Sequence, residues 1–135
     1  MFTRVAISQI YVLDQDVALD FYVNKLGLEK RTDIDLGVMR WLTVGVPGDP
    51  REIFLEKPGG PMMDAATEAQ VRDLLTKGAA GGFLIFHTDD CRATYETLVA
   101  RGVEMTQEPM QQDWGIDAAG RDPFGNNFRF TQPYA

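Results

Sequence analysis

Hydrophobic and polar positions alternate and recur along this chain in a pattern that appears twice. Each copy opens with a short run rich in β-branched and aromatic residues, "VAISQIYV" at 5–12 and "FLIFHT" at 83–88, a composition that suits a strand. Each run leads to an aspartate, Asp14 or Asp89, whose carboxylate can accept the first backbone N–H groups of a helix. Val17, Phe21, Tyr22, Lys25 and Leu26 then recur at helical spacing in the first copy, and Ala93, Thr94, Tyr95, Leu98 and Val99 give a looser apolar stripe in the second. Gly27 and Gly102 supply the left-handed backbone that stops each helix. Three further strand candidates come after each glycine: "LEKRTDI", "RWLTVGV" and "EIFLEK", then "VEMTQEP", "GIDAAGRD" and "NFRFTQ".

The two copies superimpose at an offset of 75 residues, which aligns Asp14 with Asp89, Ala18 with Ala93, Gly27 with Gly102 and Glu29 with Glu104. A repeat of this kind sets the architecture before any single motif is weighed. The order β-α-β-β-β therefore occurs twice. Between the copies, "TEAQVRDLLTKG" carries a T-x-x-Q capping box at Thr67 and Gln70, apolar positions at Val71, Leu74 and Leu75, and a stop at Gly78, so it reads as a connecting helix. The expected plan is one domain over 1–135, with module one at 1–58, the connecting helix at 64–78 and module two at 82–135.

Composition narrows the partners. With 13 basic residues scattered among 20 acidic ones, for a net charge of −7, the chain has no basic patch to hold nucleic acid or an anionic membrane. A neutral or cationic small molecule is the expected partner. Cys91 is the only cysteine, which excludes an intrachain disulfide framework and a multi-cysteine zinc site. The start of the chain lacks a signal-peptide pattern and no run of 18 apolar residues occurs, so a cytoplasmic protein is expected.

The doubled β-α-β-β-β order, the signature Val12, Asp14, Ala18, Phe21, Tyr22, Leu26, Gly27 and Leu28, and the ending "DPFGNNF" together resemble the vicinal-oxygen-chelate superfamily of glyoxalases, bleomycin resistance proteins and extradiol dioxygenases. The resemblance spans nearly the whole chain. It implies an α+β fold in which two βαβββ modules form a cupped mixed sheet around a central cavity. In the superfamily's enzymes a divalent metal there chelates substrate oxygens, held by His or Gln on the first strand of each module and Glu or His on the last. Carried over position by position, those ligands fall on Ile7, Phe83, Phe54 and Arg129. An aliphatic, two aromatics and a cation do not bind a divalent metal. The resemblance therefore implies the cavity without its usual metal site, with these four positions as ligand-contacting residues.

Strand alternation places other residues on the same face. Gln9, Glu56 and His87 are two or four positions from the expected ligand sites and are proper ligand types, so a displaced divalent-metal site is one reading and a polar rim the other. His87, the only histidine, and Glu56 are the candidate acid–base pair if the protein is catalytic. Arg129, between Phe128 and Phe130, is expected to face the cavity, where a guanidinium needs a partner. That partner is Glu56, the favoured choice, or an oxygen anion on a ligand. Trp114 is the candidate stacking wall, whereas Trp41 reads as core, and Cys91 reads as structural. Two function classes follow: a metal-free protein that sequesters a small molecule, forming a homodimer with clefts between subunits, or a glyoxalase- or dioxygenase-type enzyme using the displaced set. The vacant ligand positions favour the first.

Overall fold

The computed structural model describes residues 1–134. Module one contributes a strand β1 (Ile7–Tyr11), a helix α1 (Gln15–Leu19) that runs on as a π-helical segment Asp20–Lys25, and strands β2 (Glu29–Asp35), β3 (Arg40–Gly45) and β4 (Glu52–Glu56). After the connecting helix α2 (Ala65–Thr76), module two repeats the plan with β5 (Leu84–His87), α3 (Cys91–Ala100), β6 (Glu104–Gln112), β7 (Gly115–Arg121) and β8 (Asn127–Pro133). The sheets have matching orders, β1-β4-β3-β2 and β5-β8-β7-β6, in which the first strand of each module runs parallel to the last and the other pairs are antiparallel. The doubled order expected from the sequence is present strand for strand.

Each sheet has one face covered by helices and one free of them. Ile10, Leu42, Val44, Ile53 and Leu55 of the first sheet and Ala118, Phe128 and Phe130 of the second point to the helix side, where they join Ala18, Phe21, Tyr22, Leu75, Cys91 and Leu98 in a single buried cluster. Both modules thus share one core. Phe21 of the π segment meets Phe128 edge to face, ring centroids 6.1 Å apart, and carries that core across the boundary between the modules.

The helix caps differ from the expected ones in two places. Asp14 caps α1 as expected, its carboxylate accepting the N–H groups of Asp16 and Val17. In module two the cap is Asp90, not Asp89: the Asp90 carboxylate accepts the Ala93 N–H at 3.0 Å, because the neighbouring Thr88 backbone is still hydrogen bonded to Thr131 of β8. The connecting helix starts within its expected span of 64–78, but its cap is Asp64, not Thr67: the Asp64 carboxylate accepts the Thr67 N–H at 2.7 Å. Capping explains the π segment as well. From Asp14 to Gly27 is thirteen residues and from Asp90 to Gly102 is twelve, so module one holds one extra residue between the same cap and the same stop. The Leu26 N–H reaching back five residues to the Phe21 carbonyl absorbs it, as π bulges do.

The "DPFGN" turn fastens the modules together. Asp122 is buried, and its Oδ1 accepts the N–H groups of Phe124, Gly125 and Asn126 at 2.9, 3.0 and 2.9 Å. Its Oδ2 accepts the Tyr22 hydroxyl and the Asn126 amide, both at 2.7 Å. Asn126 also donates to the Tyr11 carbonyl of β1 at 2.7 Å. Burial and the Asp122 charge together push the Tyr22 hydroxyl well above the ordinary tyrosine value, so it stays a donor. Gly125 has φ of 116°, and a Cβ there would collide with the Leu75 carbonyl of α2, so only glycine lets the connecting helix pack this closely.

Candidate functional site

On the helix-free face of module two, alternation along β5, β7 and β8 brings Ile85, His87, Asp117, Arg129 and Thr131 to one side. With Gln107 and Gln112 of β6 and Trp114 of the β6–β7 turn they line a cleft of about 530 Å³. At its floor lies a polar triad. Arg129 Nη1 donates to Asp117 Oδ2 at 3.0 Å and to Gln107 Oε1 at 3.1 Å, while Gln107 Nε2 donates to Asp117 Oδ1 at 3.0 Å.

The triad follows from burial. Asp117 stands on a strand of small residues, "GIDAAGR", with its side chain only 1% exposed, and a buried carboxylate requires a charge partner and hydrogen bonds. Arg129, 32% exposed, supplies the charge across the β7–β8 pair and Gln107 supplies the remaining donor from β6. The expected Arg129–Glu56 pair is therefore not formed. Glu56 belongs to the other sheet, and Asp117 is two residues from direct register with Arg129 on the neighbouring strand. Both of these Arg129 bonds use Nη1. Trp114, 58% exposed, lines this cleft. Phe83, exposed just before β5, lies along the edge of the same sheet in a smaller cavity of about 290 Å³ that it shares with Gln9.

Module one presents a different helix-free face. Ile7, half-exposed, opens β1; Gln9 and Tyr11 follow on the same side, paired across the sheet with Phe54 and Glu56. Trp41 is not in the core. It stacks on Phe54 with ring centroids 4.2 Å apart and planes 25° from parallel, and stays partly exposed because Leu42 and Val44, on either side of Thr43, take the helix-facing positions of β3. Gln9 Nε2 is the only buried side-chain nitrogen or oxygen without a hydrogen-bond partner among the described residues. Burial pushes the Glu56 carboxyl up from its ordinary value, with the Gln9 amide opposing part of that shift. Burial and the Glu56 charge push the Tyr11 hydroxyl up in turn, so the three side chains form one polar group. Cys91 is buried at the first turn of α3, its N–H bonded to Gln132 Oε1 and its thiol pushed up by burial, as a structural cysteine should be.

Asp117, Gln107 and Tyr11 were not singled out from sequence. The one signal that could have found Asp117 is a charged residue placed alone among glycines and alanines on a strand, which demands a partner.

The family model described as Glyoxalase/Bleomycin resistance protein/Dioxygenase superfamily matches residues 3–130. The chain belongs to this superfamily. Among solved structures, UcmS2 is 44% identical, with a TM-score of 0.91 over 97% of this chain and 98% of that one. TnmS3, described as an antibiotic binding protein from Streptomyces sp. CB03234, is 30% identical, with a TM-score of 0.79 over 98% of both chains. Among curated sequences, YurT of Bacillus subtilis (strain 168) is 33% identical over 131 residues, covering 96% of this chain and 98% of that protein.

In this glyoxalase/bleomycin resistance/dioxygenase scaffold, the residues at the usual metal-ligand positions do not fit a metal. Phe54 is covered by Trp41, Ile7 and Phe83 offer no donor, and the Arg129 guanidinium is already committed to Asp117. The displaced set divides between the modules: Gln9 and Glu56 are neighbours on the first sheet, while His87 lines the cleft of the second. Among the described residues no three His, Cys, Asp or Glu side chains gather as a ligand set. No helix among them is long and apolar enough to cross a membrane.

Proposed function

We propose that this superfamily member binds and sequesters a small flat molecule in the module-two cleft, without the superfamily's metal. The observation that carries this reading is Arg129. At a position where the superfamily's enzymes place a metal ligand, the chain has a guanidinium held by Asp117 and Gln107, beside an exposed tryptophan. Such a floor is electrically balanced and an indole wall stacks with any planar ring, so the cleft is built to hold a molecule. The likeness to TnmS3, an antibiotic binding protein, supports an antibiotic-like ligand. The net charge of −7 favours a cationic or neutral one.

Module two alone lines the cleft, and Ile85, Met110 and Trp114 beside it and Ile7 and Ile34 on module one expose apolar surface. A homodimer in which these faces close on each other would cover that surface and enclose the ligand.

The test is titration of tryptophan fluorescence with a cationic aromatic compound and, separately, with an aromatic carboxylate, in the parent and in Trp114→Phe. Saturable quenching by the cation that is lost in Trp114→Phe supports the reading. A response to the carboxylate alone would instead assign the unused Arg129 donors to an anionic ligand. Metal analysis of protein purified without chelator decides the enzyme alternative: near-stoichiometric metal, lost on changing His87 and Glu56 to alanine, would overturn the metal-free reading.

A further inference from the structure

The cleft does not end at the rim of its sheet. β5 is an edge strand, so no strand is hydrogen bonded to its outer side. A cavity of about 310 Å³ straddles that edge, lined by Ile85 and His87 from the cleft face, by Phe86 from the helix face, and by Val46 and Asp49 of module one. Ile85 and His87 also line the cleft, and Val46, Phe86 and His87 also line a further pocket of about 240 Å³ on the helix side. The three hollows therefore form one track over the edge of β5, and His87 lines all of them.

The far end of the track is apolar. Leu28, Val46 and Pro47 of module one and Leu98, Phe128 and Phe130 of module two line it. The Thr88 and Thr94 hydroxyls there are hydrogen bonded to each other at 2.7 Å, so water entering the pocket finds few partners and an apolar group displaces it favourably. The wall from module one is held in place, since Arg31 Nη2 donates to the carbonyls of Val46 and Asp49 at 2.9 and 2.8 Å. Between the cleft and this pocket the track is polar. The Thr88 N–H is bonded to Thr131 of β8, and main-chain groups alternate in direction along a strand, so those of Ile85 and His87 point to the open edge.

We infer that the cleft is one half of a two-part site, whose ligand carries an apolar arm that leaves the planar ring through a short hydrogen-bonding link, crosses the β5 edge at His87 and lies in the pocket between the modules. This inference rests on the proposal that a flat molecule occupies the cleft, and it names the class selected: ring, polar link and a chain of limited length. At about 30 Å³ for a group the size of water, 240 Å³ takes roughly eight such groups, so the length of the arm is what the pocket measures.

Calorimetric titration with methylaminoacridine and hexylaminoacridine, the amine on the central ring, compares one cationic ring with a short and a long arm. The hexyl probe is expected to bind the parent protein roughly a hundredfold more tightly, its added methylenes recovering much of their transfer free energy, and with a more negative heat-capacity change. Two variants block the track without touching the triad or Trp114: Val46→Trp at a partly exposed position of the passage, and Thr94→Phe in the far pocket. Thermal melts establish that each is folded. Each is expected to bind the methyl probe as the parent does and to lose the gain from the hexyl arm, and loss in either folded variant supports the two-part site. An unchanged gain in both variants means that the arm binds elsewhere and overturns it. Equal affinity of the parent for the two probes overturns it as well and leaves the cleft reading standing, whereas binding of neither probe overturns both.

Discussion

Individual side chains in this protein are decided by what they must pair with once buried. Arg129 could be placed on the helix-free face from its position between two phenylalanines, but its partner could not, because the pairing depends on which strand lies alongside. Asp117, two residues out of register on β7, was closer than Glu56 on another sheet. Arg129→Met is expected to destabilise the fold by about 3 kcal/mol, because it leaves the Asp117 carboxylate buried without countercharge, whereas adding Asp117→Leu should recover most of the loss. Urea denaturation of the single and double variants checks this, and a double variant as unstable as the single one would refute the pairing argument. Glu56 gives a pH signature. Its folded pKa is raised, so the folded chain holds that proton more tightly than the unfolded chain does. The stabilising contribution is full below the ordinary carboxylate range and is lost as pH rises through the folded value. Glu56→Gln should therefore melt higher than the parent at neutral pH, with the difference closing below about pH 4.

At the scale of elements, the strands were legible, while two of the three helix caps were not. Strand positions follow a two-residue alternation that survives in any context, and β1 to β8 lie where the apolar runs and glycines put them. A helix start depends on which of several nearby acceptors the backbone finally reaches, and the "TDD" and "DAAT" stretches each offer more than one. Asp64→Ala and Asp90→Ala should each cost about 1 kcal/mol, while Asp89→Ala should cost a few tenths at most. Thermal melts of the three variants separate the two assignments. The β6 strand carries Pro109 and two register shifts, which an edge strand tolerates and a central strand would not. Its reach to Gln112 was not legible, since proline usually ends a strand, and this extension is what brings Gln112 and Trp114 to the cleft.

For the whole molecule, the internal repeat made the fold legible because two copies of one pattern confirm each other, while the site was legible only as a face. Which residues meet there depends on sheet order and on the shared core, and no local pattern encodes either. If the exposed apolar faces pair as proposed, sedimentation should show a dimer, and Ile85→Asp with Trp114→Asp should shift it to monomer without unfolding the chain. The Asp122 turn has a consequence on the same scale. Its carboxylate holds a tyrosine from the first half of the chain, and its asparagine holds a backbone carbonyl of the first strand. Neither half can satisfy those groups alone, so the two halves of the repeat are expected to melt as one unit, and 1–58 and 82–135 expressed apart should each remain unstructured until mixed.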